Sequence, residues 1–511
     1  MLKVNEIILR GYIAICEPEL ARKFECETVT YIPNYKRKKG DKRIYKIGRK
    51  PFYLNLKNGK IAVGYGAILS LAKVNSLFQY KISHENKKYP VLPYEFDDIP
   101  GIEKRHYVIK ALDAIENSVG GLIEIPTAGG KTEVELLTCV AASKQHNVLF
   151  ICPTNSILTN FVNRANKYNI DVFNYKDCKK IEKISSRGII FYSHPINVVN
   201  DFNEGRNFPI MESIGTLISD EGHHLSNKTW QSMLYCLKNL ARSFAFSGTA
   251  IDKTSKAAFM SFNNISEKDA LVYNASGPVL YSIAAEDISE YIDRPVVLNL
   301  HYQWDKNKWD EKKRDRDNWA WIYKDMLNNE NRIIRIAELI HLMSKMNRTT
   351  ITCISRKQMG VKLLNKLKVK DAVCWYGGGE VLHVCGDKLK DEDVYEGVSS
   401  GKINHLIVTS HADEGVDIPN MSTTILSEGR NLRKQRQRAG RSSRLGDKKS
   451  IVINLYDDNY RVLKTQAHAR AYGISKYYST QVIDCKNFEH LKFHVDHLED
   501  KYIESKEVSF N

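Results

Sequence analysis

A chain of 511 residues is long enough for about three domains, each able to bury its own core. Hydrophobic residues make up 42% of it, yet no apolar run approaches the roughly 18–20 residues of a membrane-spanning helix, so a membrane protein is not expected. Its ten cysteines stand singly with no C-x-x-C, which speaks against a disulfide framework, a structural metal site or an iron–sulfur cluster. The formal charge of +16 fits a partner that is a polyanion and leaves the fold open.

Residues 1–98 carry no nucleotide motif. Between Tyr31 and Tyr53 nine basic residues, Lys38 and Arg43 among them, are interleaved with Tyr35, Tyr45, Phe52 and Tyr53. Cations track phosphates and aromatic faces stack on bases, so this stretch is a candidate nucleic-acid surface on a small α+β domain. The alternative is a solvated hairpin loop. The segment Tyr89–Pro100, with three prolines and an acidic pair, reads as a linker.

Over residues 99–298 short apolar runs alternate with amphipathic helical patterns. Strands are expected at Gly121–Ile125, Asn147–Cys152, Gly188–Tyr192, Gly215–Ser219 and Ser243–Phe246, with helices at Thr132–Lys144 and Ser156–Lys167. Such alternation predicts a parallel sheet covered on both faces, with functional residues at the carboxyl ends of its strands. At the first of those ends stands EIPTAGGKTEV, Glu124–Val134. The loop Thr127, Ala128, Gly129 and Gly130 would curl its amides around a phosphate, Lys131 would neutralise it, and Thr132 would offer a hydroxyl to Mg²⁺. The first glycine of the full G-x-x-x-x-G-K-[ST] pattern is Ile125 here, so only the second half of that pattern is present. At a later strand end LISDEGHH places Asp220 to hold Mg²⁺ and Glu221 to polarise water, with His223 beside them. The next strand ends in FAFSGTA, where Ser247 and Thr249 are suited to hydrogen-bond those carboxylates.

Residues 299–328 hold four tryptophans in a dense charge run and read as an amphipathic linker. A second alternating region, residues 329–456, has no G-K-T of its own, which predicts a partner lobe closing on one shared nucleotide. It contains QRAGRSSR; on a helix, Arg441 and Arg444 at i and i+3 would share a face and reach one anion. The alternative for that stretch is a basic helix on a phosphate backbone, against which Gly440 in mid-helix argues. Residues 457–511 read as a helical, mixed-charge tail without chemistry.

In one order stand PTAGGKT, CPTNS, DEGHH, SGTA, ISR, TSHADEGVDIP and QRAGRSSR. Together they resemble superfamily 2 helicases and translocases across residues 102–456, most nearly the phage UvsW-type branch-migration helicases and the RecG/XPB-like group. The resemblance implies an α/β fold of two tandem RecA-like parallel-sheet lobes, with a small α+β N-terminal domain and a helical C-terminal tail. It implies ATP with Mg²⁺, held by Lys131, Thr132, Asp220 and Glu221, with Arg105 on the nucleotide side. His223, Ser247 and Thr249 match the coupling motifs; Gly415 and Asp417 match the fifth motif, and Gln437, Arg441 and Arg444 the sixth. Pro153, Thr154, Ser193, Ser355, Arg356 and Thr409 correspond to nucleic-acid contacts. The glutamine that reads adenine in the pattern R-x-Y-Q is Val108 here, which leaves the choice of nucleoside triphosphate open.

The implied activity is ATP-dependent unwinding or branch migration of forked, branched or duplex DNA in replication, recombination or repair. The setting is the cytoplasm of a bacterial or phage-infected cell, with a nucleus as the alternative, beside other replication and recombination proteins. Rival readings are an RNA helicase, a motor subunit serving a partner nuclease, and an inactive relative.

Overall fold

The computed structural model describes residues 6–10, 12–31, 45–72, 81–85, 91–180, 185, 187–248, 251, 265–303, 319–376, 381–383, 388–409, 418, 420–429, 431–458 and 460–509. The chain divides into two compact units: residues 1–126 with 130–283, and residues 284–511 with the short segment 127–129.

The first unit begins with a five-stranded sheet, ordered β5-β6-β2-β1-β7. Its strands are β1 (Glu6–Arg10), β2 (Ile13–Cys16), β5 (Leu54–Asn55), β6 (Ile61–Gly64) and β7 (Lys81–Glu85). Between them β3 (Glu25–Tyr31) and β4 (Tyr45–Pro51) pair as an antiparallel hairpin, and α1 (Tyr65–Ala72) follows β6. This small α+β layer shares a core with what comes after it. Ile7, Leu9, Val63 and Ile68 belong to one apolar cluster with Leu122, Leu149, Leu217 and Tyr273. Tyr12 Oη donates to the carbonyl of Ser276 at 2.6 Å, and Gly64 N donates to Asn274 Oδ1 at 2.7 Å. The expected self-contained domain of residues 1–98 is therefore continuous with the lobe beside it.

That lobe is a seven-stranded parallel sheet, ordered β10-β11-β9-β12-β13-β8-β14. The strands are β8 (Gly120–Glu124), β9 (Asn147–Ile151), β10 (Phe173–Asn174), β11 (Ile190–Ser193), β12 (Ile214–Asp220), β13 (Arg242–Ser247) and β14 (Val279–Ser282). β8, β9, β12 and β13 are buried along their whole length, as strands covered on both faces must be. The helices are α2 (His106–Glu116), α3 (Lys131–Ser143), α4 (Asn155–Lys167), α5 (Pro195–Asn203), α6 (Phe208–Ser213), α7 (Lys228–Cys236) and α8 (Glu267–Ser276). Residues 91–100, expected as a linker, are strapped to this lobe. The Arg242 guanidinium lies 3.8 Å from the centre of the buried Tyr94 ring, whose hydroxyl is 3.0 Å from Thr216 Oγ1.

The second unit is built on a nine-stranded sheet, ordered β19-β18-β17-β20-β16-β21-β22-β15-β23. Its strands are β15 (Val296–Tyr302), β16 (Thr350–Cys353), β17 (Ala372–Trp375), β18 (Val381–His383), β19 (Lys388–Leu389), β20 (His405–Val408), β21 (Thr423–Leu426), β22 (Ile451–Asp457) and β23 (Val482–Cys485). β17, β18 and β19 are joined antiparallel; the other neighbours pair parallel. The helices are α9 (Trp319–Asn328), α10 (Glu330–Lys345), α11 (Lys357–Leu364), α12 (Asp391–Ser399), α13 (Leu432–Ala439), α14 (Arg461–Tyr478) and α15 (Phe488–Ser509).

Two expectations are corrected here. The boundary placed at residue 298 falls inside β15, which pairs with β22 and β23 and so belongs to the second sheet; its apolar run continues the preceding alternation and offers no local break. The tail 457–511 is not purely helical, because β23 forms the edge of that sheet and α14 packs beneath it. Among the described residues no helix is long and apolar enough to cross a membrane, and the described cysteines are buried free thiols.

Candidate nucleotide and nucleic-acid sites

A buried polar cluster of the first unit lies at the carboxyl ends of its parallel strands. Leaving β8, the chain turns through Ala128 at φ 67° and Gly130 at φ 78° before α3 begins at Lys131. The left-handed conformation at Gly130 is one that a side chain resists, and it sets Lys131 on the first helical position. Its ammonium donates to Asp220 Oδ1 and lies 3.3 Å from Glu221 Oε1. Asp220 ends β12, and its Oδ1 also accepts the amide of Glu221 at 2.6 Å. Glu221 itself sits at φ 50°, ψ 52°, a left-handed conformation costing on the order of 1–3 kcal/mol that aims its carboxylate back at Lys131. His223 Nδ1 lies 3.3 Å from the second Glu221 oxygen, and its ring packs on His224.

Burial alone would push the Lys131 ammonium down, but the carboxylates of Asp220, Glu221 and Glu135 outweigh it and raise its pKa. Burial raises Asp220, with the Lys131 charge opposing. Glu135, fully buried one helical turn beyond Lys131, is raised well above the carboxylate range by burial and then by Asp220. A lysine whose partners are side-chain carboxylates can exchange them for phosphate oxygens. The helix N-terminus, Lys131, the half-exposed Thr132 and the two acids make a donor and acceptor set that fits a nucleoside triphosphate with a divalent cation.

Other first-unit expectations divide. Arg105 donates to Tyr107 Oη at 3.1 Å, and a side chain built on Gly130 would meet that hydroxyl at 3.8 Å, so the pair adjoins the turn. Val108 is buried and offers no side-chain carboxamide. Ser247 is buried at the end of β13, where its carbonyl accepts from Ile125 N. Thr154 caps α4, accepting from Ile157 N at 3.4 Å, beside the half-exposed Pro153. Ser193 is buried, its hydroxyl donating to His194 O and accepting from Asn197 Nδ2. What that strand end presents instead is His194 bound to Asn155 at 2.7 Å. Thr249, with Lys38 and Arg43 between the arms of the β3–β4 hairpin, lies outside the described residues.

In the second unit Ser355 and Arg356 are exposed ahead of α11, and the Arg356 guanidinium lies 6.0 Å from the Tyr323 ring. Thr409 is buried at the end of β20. Gly415 and Asp417 lie outside the described residues. Gln437 is buried on α13, but that helix ends at Ala439, so the shared helical face expected for Arg441 and Arg444 does not form. Arg441 sits in a 3₁₀ turn, and Arg444 is in an antiparallel bridge with Ile292 and donates to the Ile418 carbonyl at 2.7 Å. Gly440 is the C-cap of α13, where a side chain would come within 2.8 Å of Tyr478 Oη. A close approach thus explains that glycine without a continuous helix.

Sequence reasoning passed over Glu135, although its i+4 spacing from Lys131 placed it on the same face. It also missed Arg164, which pairs with Glu133 of α3, and Glu428, a buried carboxylate that accepts the Ser355 amide. No local signal marks either pairing.

Two family models match this chain. One, described as the type III restriction enzyme res subunit, covers residues 101–252, and the helicase conserved C-terminal domain covers residues 331–446. The chain belongs to helicase superfamily 2. Helicase domains of this kind imply ATP hydrolysis coupled to a helicase or translocase. Among its relatives, putative helicase 22 of a Sulfolobus islandicus filamentous virus is 24% identical over 381 residues, covering 70% of this chain and 65% of that protein. The DNA 3'-5' translocase XPB2 of Sulfurisphaera tokodaii is 22% identical over 389 residues, covering 69% of this chain and 81% of XPB2. The chain thus spans just under two thirds of the viral protein. In fold it is similar to the S. cerevisiae protein Dbp5, solved bound to RNA and ADP BeF3. The TM-score is 0.53 at 15% identity, over 77% of this chain and 93% of Dbp5.

Proposed function

We propose that this superfamily 2 enzyme is a DNA translocase that uses ATP and Mg²⁺ to unwind or branch-migrate forked and junction DNA. The observation that carries the reading is the Lys131–Asp220–Glu221 cluster at the carboxyl ends of β8 and β12. The net charge of +16 and the DNA translocase XPB2 among the relatives support DNA as the track.

Bound ATP would supply the phosphoanhydride whose hydrolysis drives movement. Thr132 and Asp220 would hold Mg²⁺. Lys131 leaves its carboxylate partners to neutralise phosphate oxygens, which frees Glu221 to orient water and take up its proton. His223, already against Glu221, holds that carboxylate in place. Arg441 and Arg444 would neutralise the charge that develops on the transferred group, with Gln437 ordering the turn that carries them. Ser355 and Arg356, exposed at the head of α11, would contact the strand backbone.

The test is ATPase and strand separation on a panel of forks, four-way junctions, flush duplexes and RNA. Branched DNA is expected to stimulate hydrolysis most. An ATPase driven by RNA and silent on DNA overturns the assignment. Failure of the isolated chain to move any branch point marks it instead as a motor serving another protein.

A further inference from the structure

The carboxyl ends of β16, β21 and β22 hold a buried polar cluster that the proposed chemistry does not use. Arg332, fully buried, donates to the carbonyl of Ser427 and lies 3.4 Å from Asp457 Oδ1. Arg470 donates to the carbonyls of Gly429 at 3.2 Å and Leu455 at 2.8 Å. Among them stands Glu428, 2% exposed. Its Oε1 accepts the backbone amide of Ser355, while none of the described residues hydrogen-bonds its Oε2. Its main-chain carbonyl accepts from Gln435 Nε2 on α13 at 3.4 Å. Gln435 is itself buried, two residues before Gln437 on the helix that leads to Arg441.

One residue thus reaches two elements that sequence reasoning treated as separate motifs. By its main chain it meets the arginine-bearing helix, and by its side chain it meets the turn that presents Ser355 and Arg356. We propose that Glu428 is a positioning residue, which holds the Ser355–Arg356 turn in register with α13 so that the turn can grip a nucleic-acid strand. This rests on the reading of Ser355 and Arg356 as strand contacts.

A purely structural role is the competing explanation, because a carboxylate among Arg332 and Arg470 also balances charge. The two roles separate by substitution. Glu428→Gln removes the charge but keeps an oxygen able to accept the Ser355 amide; Glu428→Met removes both. A cavity of about 270 Å³ lined by Glu428, Tyr323, Asp457 and Arg470 gives the methionine room to settle. The readout is the full-length protein's ATPase, basal and as a function of strand concentration. Positioning predicts that Glu428→Met raises the strand concentration for half-stimulation about tenfold with the basal rate kept, while Glu428→Gln stays within about twofold of wild type. Equal loss in both variants, or a proportional fall of basal and stimulated rates, overturns it in favour of charge balance. Gln435→Met cuts the other end without touching a charge and is expected to shift half-stimulation in the same direction. Should Glu428→Met fail to fold, an unchanged value for Gln435→Met overturns the proposal. A wild-type ATPase indifferent to every strand overturns the strand-contact reading itself, and this proposal with it.

Discussion

Both large sheets gather buried charge at the carboxyl ends of parallel strands, and they use it in opposite ways. In the first unit the described partners of Lys131 are side-chain carboxylates, Asp220 and Glu221, with Glu135 behind them, at a partly open surface. In the second, Arg332 and Arg470 donate to the main-chain carbonyls of Ser427 and Gly429, just beyond β21, and of Leu455 in β22, as well as to the side chains of Asp457 and Asn454, deep in the core. Carboxylates on side chains can turn away and release a cation to an incoming anion. Main-chain carbonyls at a strand end cannot move without breaking the sheet. The same fold therefore yields an exchangeable site in one lobe and a fixed brace in the other.

The largest effect should come from the exchangeable side. Lys131→Ala is expected to lower ATP hydrolysis by roughly 10³-fold or more, read as phosphate release, while nucleic-acid affinity by fluorescence anisotropy changes little. Retained hydrolysis would remove the basis of the comparison. On the braced side Arg332→Leu strands Asp457 without its cation, and unfolding of the variant should show a loss of about 3–5 kcal/mol. A loss below about 1 kcal/mol would mean the network braces nothing.

The two lobes also share a feature that sharpens the contrast. Each buries a histidine against a threonine, His146 on Thr216 at 3.1 Å and His405 on Thr350 at 3.0 Å. Burial, with Arg242 adding, lowers His146 to about 4, and burial lowers His405 as well. A histidine depressed in the folded state binds fewer protons there than when unfolded. Its contribution is present above the ordinary value near 6.5 and is lost as pH falls towards 4. For His146 the loss is on the order of 3 kcal/mol, so His146→Asn should flatten the fall of the melting temperature between pH 6.5 and 4. An unaltered slope would place the acid sensitivity elsewhere. The smallest effect is expected for Thr154→Ala, about 1 kcal/mol for a lost helix cap. A larger change in half-stimulation by strand than in stability would show that Thr154 also touches nucleic acid.

The sequence by itself determined where five of the first lobe's seven strands run, the turn that precedes Lys131, and the acids at the end of β12. Those features are local: apolar runs, glycines that permit a left-handed turn, and a carboxylate at a strand tip are each written within a few neighbouring residues. What only the tertiary structure decided involves partners far apart in the chain. Tyr12 meets Ser276 across 264 positions, which fuses the N-terminal sheet to the first lobe. β15 joins the second sheet between β22 and β23, both more than a hundred residues later, although its own pattern continues the first lobe's. The helix expected through Arg441 and Arg444 ends at Ala439 and gives way to a 3₁₀ turn, and Tyr478 on α14 packs close beside Gly440 at that point. Glu428 acquires its partners from two elements at once, the turn at Ser355 and α13. Periodicity reports which face of an element is apolar, and it carries no record of which distant backbone will close against that face.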